Sequence, residues 1–173
     1  MEGKGMAAEQ TAVTDSTESG LGGKYLTFSL GSEEYGVEIM KIREIIGIME
    51  ITAVPHTPEY IKGVINLRGR VIPILELRLR FNMAVKEYDD RTCIIVVEVN
   101  GPSGPIMIGM LVDSVSEVVN IDSAEIEPPP EFGTPTESEN ILGMGKIKGN
   151  VKILLDVDKI VGAGVLEHLE ASA

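Results

Sequence analysis

The sequence predicts a mainly β protein built as two small antiparallel barrels, related by a pseudo-twofold axis and packed on a shared aliphatic core. Three observations predict it. Short apolar runs alternate with polar residues at a period of two and are separated by glycine-bearing turns. Two long stretches of the chain repeat each other in order. Hydrophobic residues make up 43% of the 173 while aromatics are only 4%, so Val, Ile, Leu and Met must fill the interior.

The elements follow from the N-terminus. Residues 1–23 are rich in Glu, Thr, Ser and Gly, lack aromatic residues and apolar periodicity, and read as a disordered tail. They also lack the basic start and apolar stretch of a secretory signal. From Lys24, Leu26, Phe28 and Leu30 alternate with polar residues, a Gly31-Ser32-Glu33-Glu34 turn follows, and Tyr35, Val37 and Ile39 complete a hairpin. A second hairpin spans Ile65 to Leu77 around Arg68-Gly69-Arg70, where glycine supplies the positive φ of a tight turn. The third joins Cys93–Val99 to Ile106–Val112, and the fourth runs from Lys146 to Val157 around Gly149-Asn150. Helical signals are short and weak, at residues 40–44, 58–62, 76–81 and 165–170. The globular part is therefore expected at residues 24–162, with a C-terminal tail at 163–173 that carries a helical turn.

The repeat is the most informative feature. Gly36 to Ile46 lies over Gly109 to Val119 at an offset of 109 − 36 = 73, and Ile61 to Val71 lies over Ile141 to Val151 at 141 − 61 = 80. The step of seven residues falls in the Pro- and Thr/Ser-rich connection after Ile121, where extra length disturbs no strand. Two copies of one supersecondary unit of about five strands are implied. In this alignment Glu44 and Arg68 occupy the positions of Glu117 and Lys148, so each copy is expected to form one acid–base pair across its strands.

Chemistry is sparse by comparison. Fifteen basic against 27 acidic residues give a formal charge of −12, which argues against binding a phosphate backbone or an anionic membrane. One cysteine, Cys93, excludes an intrachain disulfide and a multi-thiolate zinc site, and points to a reducing compartment. His56 sits in a Pro-flanked turn and His168 in the tail, so no histidine triad or His-Glu-x-x-His helix assembles. Gly101-Pro-Ser-Gly-Pro105 joins two strands where a nucleophile elbow must feed a helix. The glycines from Gly143 to Gly149 precede a strand where a dinucleotide fingerprint needs a helix N-terminus. No catalytic residue, metal or cofactor is implied.

Three segments resemble the CheW family of bacterial chemotaxis adaptors: Leu30 to Ile45, Tyr60 to Arg78 with its Ile-Lys-Gly-Val-Ile-Asn-Leu-Arg-Gly run, and Pro128 to Phe132. The resemblance covers Lys24 to about Val161. It implies two SH3-like five-stranded barrels and a cytoplasmic, non-enzymatic scaffold that couples transmembrane chemoreceptors to the chemotaxis histidine kinase CheA in arrays beneath the inner membrane. Carried over by motif position, the receptor tip would meet Ile42, Glu44, Gly63, Asn66 and Arg68, with Cys93 near the groove. The kinase's regulatory domain would meet Glu127 and Phe132. Some relatives carry a basic residue at the position of Glu127, so the charge complement there differs. The isolated chain is expected to be a monomer without nucleic-acid partners or membrane insertion. Arg68→Glu and Gly63→Asp are expected to leave the fold intact while weakening receptor binding. The alternative is a sensor holding a metabolite in the cleft between the barrels.

Overall fold

The computed structural model describes residues 22–129 and 140–161. Its strands are β1 (Gly23–Leu30), β2 (Glu33–Glu38), β3 (Ile42–Gly47), β4 (Ile61–Leu67), β5 (Arg70–Glu76), β6 (Cys93–Gly101), β7 (Gly104–Val112), β8 (Ser114–Ile121), β9 (Ile126–Glu127), β10 (Ile141–Ile147) and β11 (Asn150–Leu155). Two short helices, α1 (Leu77–Arg80) and α2 (Val157–Val161), follow β5 and β11. The four expected hairpins are present as β1–β2, β4–β5, β6–β7 and β10–β11.

Two of the helical signals meet different structures. Residues 39–41 form only a 3-10 turn, because from Ile42 onward the chain pairs with β6. Residues 58–62 turn once, with the Ile61 amide donating to the Pro58 carbonyl, and then enter β4. The signal at 165–170 lies outside the described residues, as do residues 1–21 of the expected N-terminal tail. Of the signals within the described residues, 76–81 alone yields an α-helix, α1. The fourth hairpin was expected to run as strand to Val157, but the strand ends at Leu155 and the Asp156 carbonyl accepts the Ile160 amide to start α2. Val157, Ile160 and Val161 bury one face of that single turn.

The strands form a six-stranded sheet ordered β8-β1-β2-β11-β10-β9 and a five-stranded sheet ordered β3-β6-β7-β5-β4. The fold is thus mainly β, with two SH3-like sheets and few helical turns. Pairing is antiparallel except for β5–β7 and β2–β11, which are parallel. These two exceptions show how the copies meet. Ile74 pairs with Gly109 in one, and Leu154 pairs with Gly36 in the other, the same positions at offsets of 80 and 73. The match extends across the antiparallel neighbours: Leu26 faces Val118 and Phe28 faces Val115, as Ile95 faces Ile45 and Val97 faces Ile42.

The copies are exchanged. The first hairpin of copy one, β1–β2, lies in the sheet made by β8 to β11 of copy two, and β6–β7 of copy two lies in the sheet made by β3 to β5 of copy one. Each copy thus contributes a hairpin to one sheet and its remaining strands to the other. The glycines at the crossings are required by contact, since a Cβ on Gly36 would come 2.8 Å from Leu154 and one on Gly109 2.6 Å from Ile94. The seven-residue step also divides. Thr52 bridges Val64 as Glu127 pairs with Met144, so 127 − 52 = 75 places two added residues before Glu127 and five after it.

Burial follows the same plan. A large cluster that includes Leu26, Phe28, Val37, Leu75, Val97, Ile108, Met110, Leu155 and Ile160 draws on both sheets and forms the shared core. A second cluster (Ile65, Ile72, Ile74, Ile94, Val96, Leu111) fills the five-stranded sheet and a third (Tyr25, Ile121, Leu154) the six-stranded one. The two sheet interiors are not alike. Where Ile72 is buried in the first, Lys152 stands in the second and forms an ion pair with Glu34, whose carboxylate also accepts a hydrogen bond from Ser116.

Candidate protein-binding surfaces

β3 and β4 are the two edges of the five-stranded sheet. The guanidinium of Arg68, in the β4–β5 turn, donates to the Glu44 carboxylate on β3, so one ion pair spans the seam where the sheet curls onto itself. The turn is shaped for this contact. Arg68 and Gly69 take φ of 53° and 87°, the two left-handed residues of a type I′ hairpin, and the Gly69 amide donates to Asn66 Oδ1 at 2.8 Å. Arg68 remains 69% exposed and Glu44 31% exposed, so the pair is open to a partner. The charge contributes little to folding at that exposure.

Gly63 lies in β4 against Thr52, at φ 149°. A Cβ there would come 2.2 Å from the Thr52 carbonyl oxygen. Gly63→Asp therefore cannot leave the fold untouched: it must displace the segment whose Thr52 and Val64 exchange backbone hydrogen bonds of 2.9 and 2.8 Å. Gly63 shapes the wall beside the seam rather than offering a side chain.

Ile42 and Cys93 mark opposite ends of the β3–β6 pair, where Ile42 faces Val97 and Gly47 faces Cys93. Both are partly buried against the shared core. Burial pushes the Cys93 thiol above its ordinary pKa, opposed by a hydrogen bond from the Val115 amide of β8. Glu44, Asn66 and Arg68 thus come together, Gly63 supports them, and Ile42 and Cys93 flank them on the side of the core.

In the second copy, Lys148 repeats the backbone of Arg68 at φ 51°, and Glu117 repeats the strand position of Glu44. Their expected pair does not form among the described residues. The Glu117 amide and carbonyl instead bond Thr27 Oγ1 at a bulge of β1. The acid–base pair of this copy is Lys146 with Glu127, Nζ to Oε2 at 2.8 Å, both well exposed on β10 and β9. Lys146 holds the Glu127 carboxyl below the usual range, by hydrogen bonding first and by charge second. Phe132 lies outside the described residues. The sequence comparison missed the Lys146–Glu127 pair because Glu127 has Thr52 as its counterpart, on the far side of the two-residue addition.

Apolar side chains also stand in symmetric exposure. Ile45 and Val71 are open on the five-stranded sheet, and their counterparts Val118 and Val151 on the six-stranded one. Polar and apolar groups therefore share both ends of the molecule. The described residues include no group of three or more His, Cys, Asp or Glu that could hold a metal. A shallow open cleft lies against α1, bounded by Glu76, Tyr88 and the Arg78–Asp113 ion pair. There the Tyr88 hydroxyl donates to the buried Glu76 at 2.7 Å.

Residues 24–164 match the family model of the CheW-like domain. The chain belongs to the CheW-like family. A chemotaxis protein CheW of Klebsiella aerogenes is 38% identical over 143 residues, covering 83% of this chain and 84% of that protein. One of Rhizobium meliloti is 35% identical over 139 residues, covering 80% and 87%. The crystal structure of the scaffolding protein TtCheW from Thermoanaerobacter tengcongensis superposes with a TM-score of 0.73 at 33% identity, covering 84% of this chain and 96% of that one. The family is one of non-catalytic scaffolds of chemotaxis signalling, and the fold and sheet count found here agree with membership. Among the described residues no helix is long and apolar enough to cross a membrane.

Proposed function

We propose that this chain joins the cytoplasmic tip of a chemoreceptor to the regulatory domain of CheA through two separate surfaces, in the cytoplasm at receptor arrays. The receptor-facing surface is the seam carrying Glu44, Asn66 and Arg68, backed by Gly63 and flanked by Ile42 and Cys93. The kinase-facing surface includes Glu127 and Phe132. The observation that carries this reading is the exposed Arg68–Glu44 pair. An arginine is kept in a left-handed turn position, which disfavours it sterically, and it meets an acid across the barrel seam. Its contribution to stability is small, so its geometry serves recognition. A helical hairpin laid along the seam would find this polar clamp beside the exposed Ile45 and Val71.

The test is a titration of the pure chain against a receptor hairpin and against the kinase's regulatory domain, each followed by calorimetry. Arg68→Glu is expected to lower receptor affinity about tenfold or more and to spare the kinase contact, and Phe132→Ser to do the reverse. Equal loss of both partners by both variants would refute the division into two surfaces. The isolated chain is expected to run as a monomer.

A further inference from the structure

Two ion pairs join the copies, each between a helix of one copy and a strand corner of the other. At one, Arg78 of α1 meets Asp113 at the β7–β8 corner, Nε to Oδ1 at 2.9 Å and Nη2 to Oδ2 at 2.6 Å, both side chains 14% exposed. Asp113 Oδ2 also accepts the Gly31 amide of the β1–β2 turn at 2.8 Å, and Arg78 Nη1 donates to the Ala84 carbonyl at 2.9 Å. At the other, Asp158 of α2 meets Lys41 at the β2–β3 corner at 2.8 Å and accepts the Asn100 amide at the end of β6 at 2.9 Å. Arg78 and Asp158 are counterparts, 158 − 78 = 80, and the two corners follow equivalent strands, β7 and β2. The helix brings the cation in one pair and the anion in the other.

The two pairs also hold the two ends of one strand pair. Lys41 immediately precedes Ile42, and Asn100 lies near the far end of β6. Asp113 immediately follows Val112, the strand partner of Cys93, and two residues later the Val115 amide bonds the Cys93 thiol. We propose that Arg78–Asp113 and Lys41–Asp158 are positioning pairs that fix the β3–β6 wall of the receptor-facing surface from its two ends. The positioning role rests on the assignment of β3 to the receptor.

The test exchanges charges in the full chain. A corner variant, Lys41→Asp with Asp113→Lys, opposes like charges at both sites of the native arrangement. A fourfold variant adds Arg78→Asp and Asp158→Arg and restores opposition of sign. The amides of Gly31 and Asn100 lie in exposed contacts and can turn to water. Cys93 is the only cysteine, so its reaction with an aromatic disulfide reads the wall directly, and a receptor-hairpin titration reads the surface. The corner variant is expected to react about tenfold faster and to bind about tenfold more weakly, with the fourfold variant within about threefold of the parent in both. A corner variant matching the parent in thiol rate overturns the proposal, and so does a fourfold variant no better than the corner variant. Should the corner variant fail to fold, the fourfold variant must still fold despite two more substitutions, and its failure is equally decisive. If the parent chain does not bind the receptor hairpin, the functional reading falls while the thiol rates still decide the pairing.

Discussion

Glu38 ends β2 facing Tyr25, and its surroundings set charge against solvation. Burial pushes its carboxyl above the ordinary range; Lys41 opposes this, and Asp156 and Asp158 reinforce it. The same burial, with Glu38 as the second cause, pushes the Tyr25 hydroxyl up to about 12. A carboxyl whose folded pKa is raised favours the folded state when protonated, so that contribution is whole below the unfolded pKa of about 4.5 and is lost as pH rises through the folded value. Glu38→Gln is therefore expected to match the parent in urea midpoint at pH 4 and to exceed it increasingly toward pH 7. A difference of the same size at both pH values would remove the burial argument. Residues of this kind are hard to read in a sequence. The alignment places Glu38 opposite Leu111, an apolar position in the other copy, but which copy departs from the common plan depends on the packing.

At the scale of the element, the hairpins were legible because their turns are written in single residues. Arg68-Gly69 and Lys148-Gly149 each provide two successive left-handed residues, and the sequence comparison matched them before any geometry was known. The two basic residues bear the same backbone cost, and among the described residues only Arg68 has an ion partner in return. Lys148→Asn, which suits the left-handed position, is expected to raise stability by up to about 1 kcal/mol, measured by urea unfolding. An unchanged or lower midpoint would mean that the lysine side chain holds the β10–β11 hairpin by some other contact. Less legible were the short pieces. α2 is five residues long, too few for a helical period to stand out, and β9 is two. The stretch at 39–46 has apolar spacing that suits either a turn of helix or a strand; pairing with β6 decides for the strand.

For the whole molecule, the repeat was readable and the exchange was not. Gly36 and Gly109 announce equivalent crossings in the sequence, yet an aliphatic strand with the same alternation could pack on its own copy or on the other. The choice depends on contacts between residues far apart along the chain, which the alternation does not record. A direct consequence is that neither copy is a folding unit. Splitting the chain in the segment between α1 and β6 should give two fragments, each without a cooperative transition by circular dichroism, that recover the parent spectrum on mixing. A fragment that folded alone would show that its hairpin is content with its own strands. For the surfaces, the seam residues Glu44, Asn66 and Arg68 were found by motif and confirmed as neighbours, whereas Lys146–Glu127 depended on an insertion whose division only the register reveals.

The pairing of β1 with β8 has a temporal side. Phe28 must wait for Val115, and 115 − 28 = 87 residues at about 5–20 per second amount to roughly 4–17 s of synthesis. For that interval the first hairpin leaves the ribosome with its apolar face uncovered and its neighbours not yet made. Slowing translation would lengthen that exposure rather than help the chain fold.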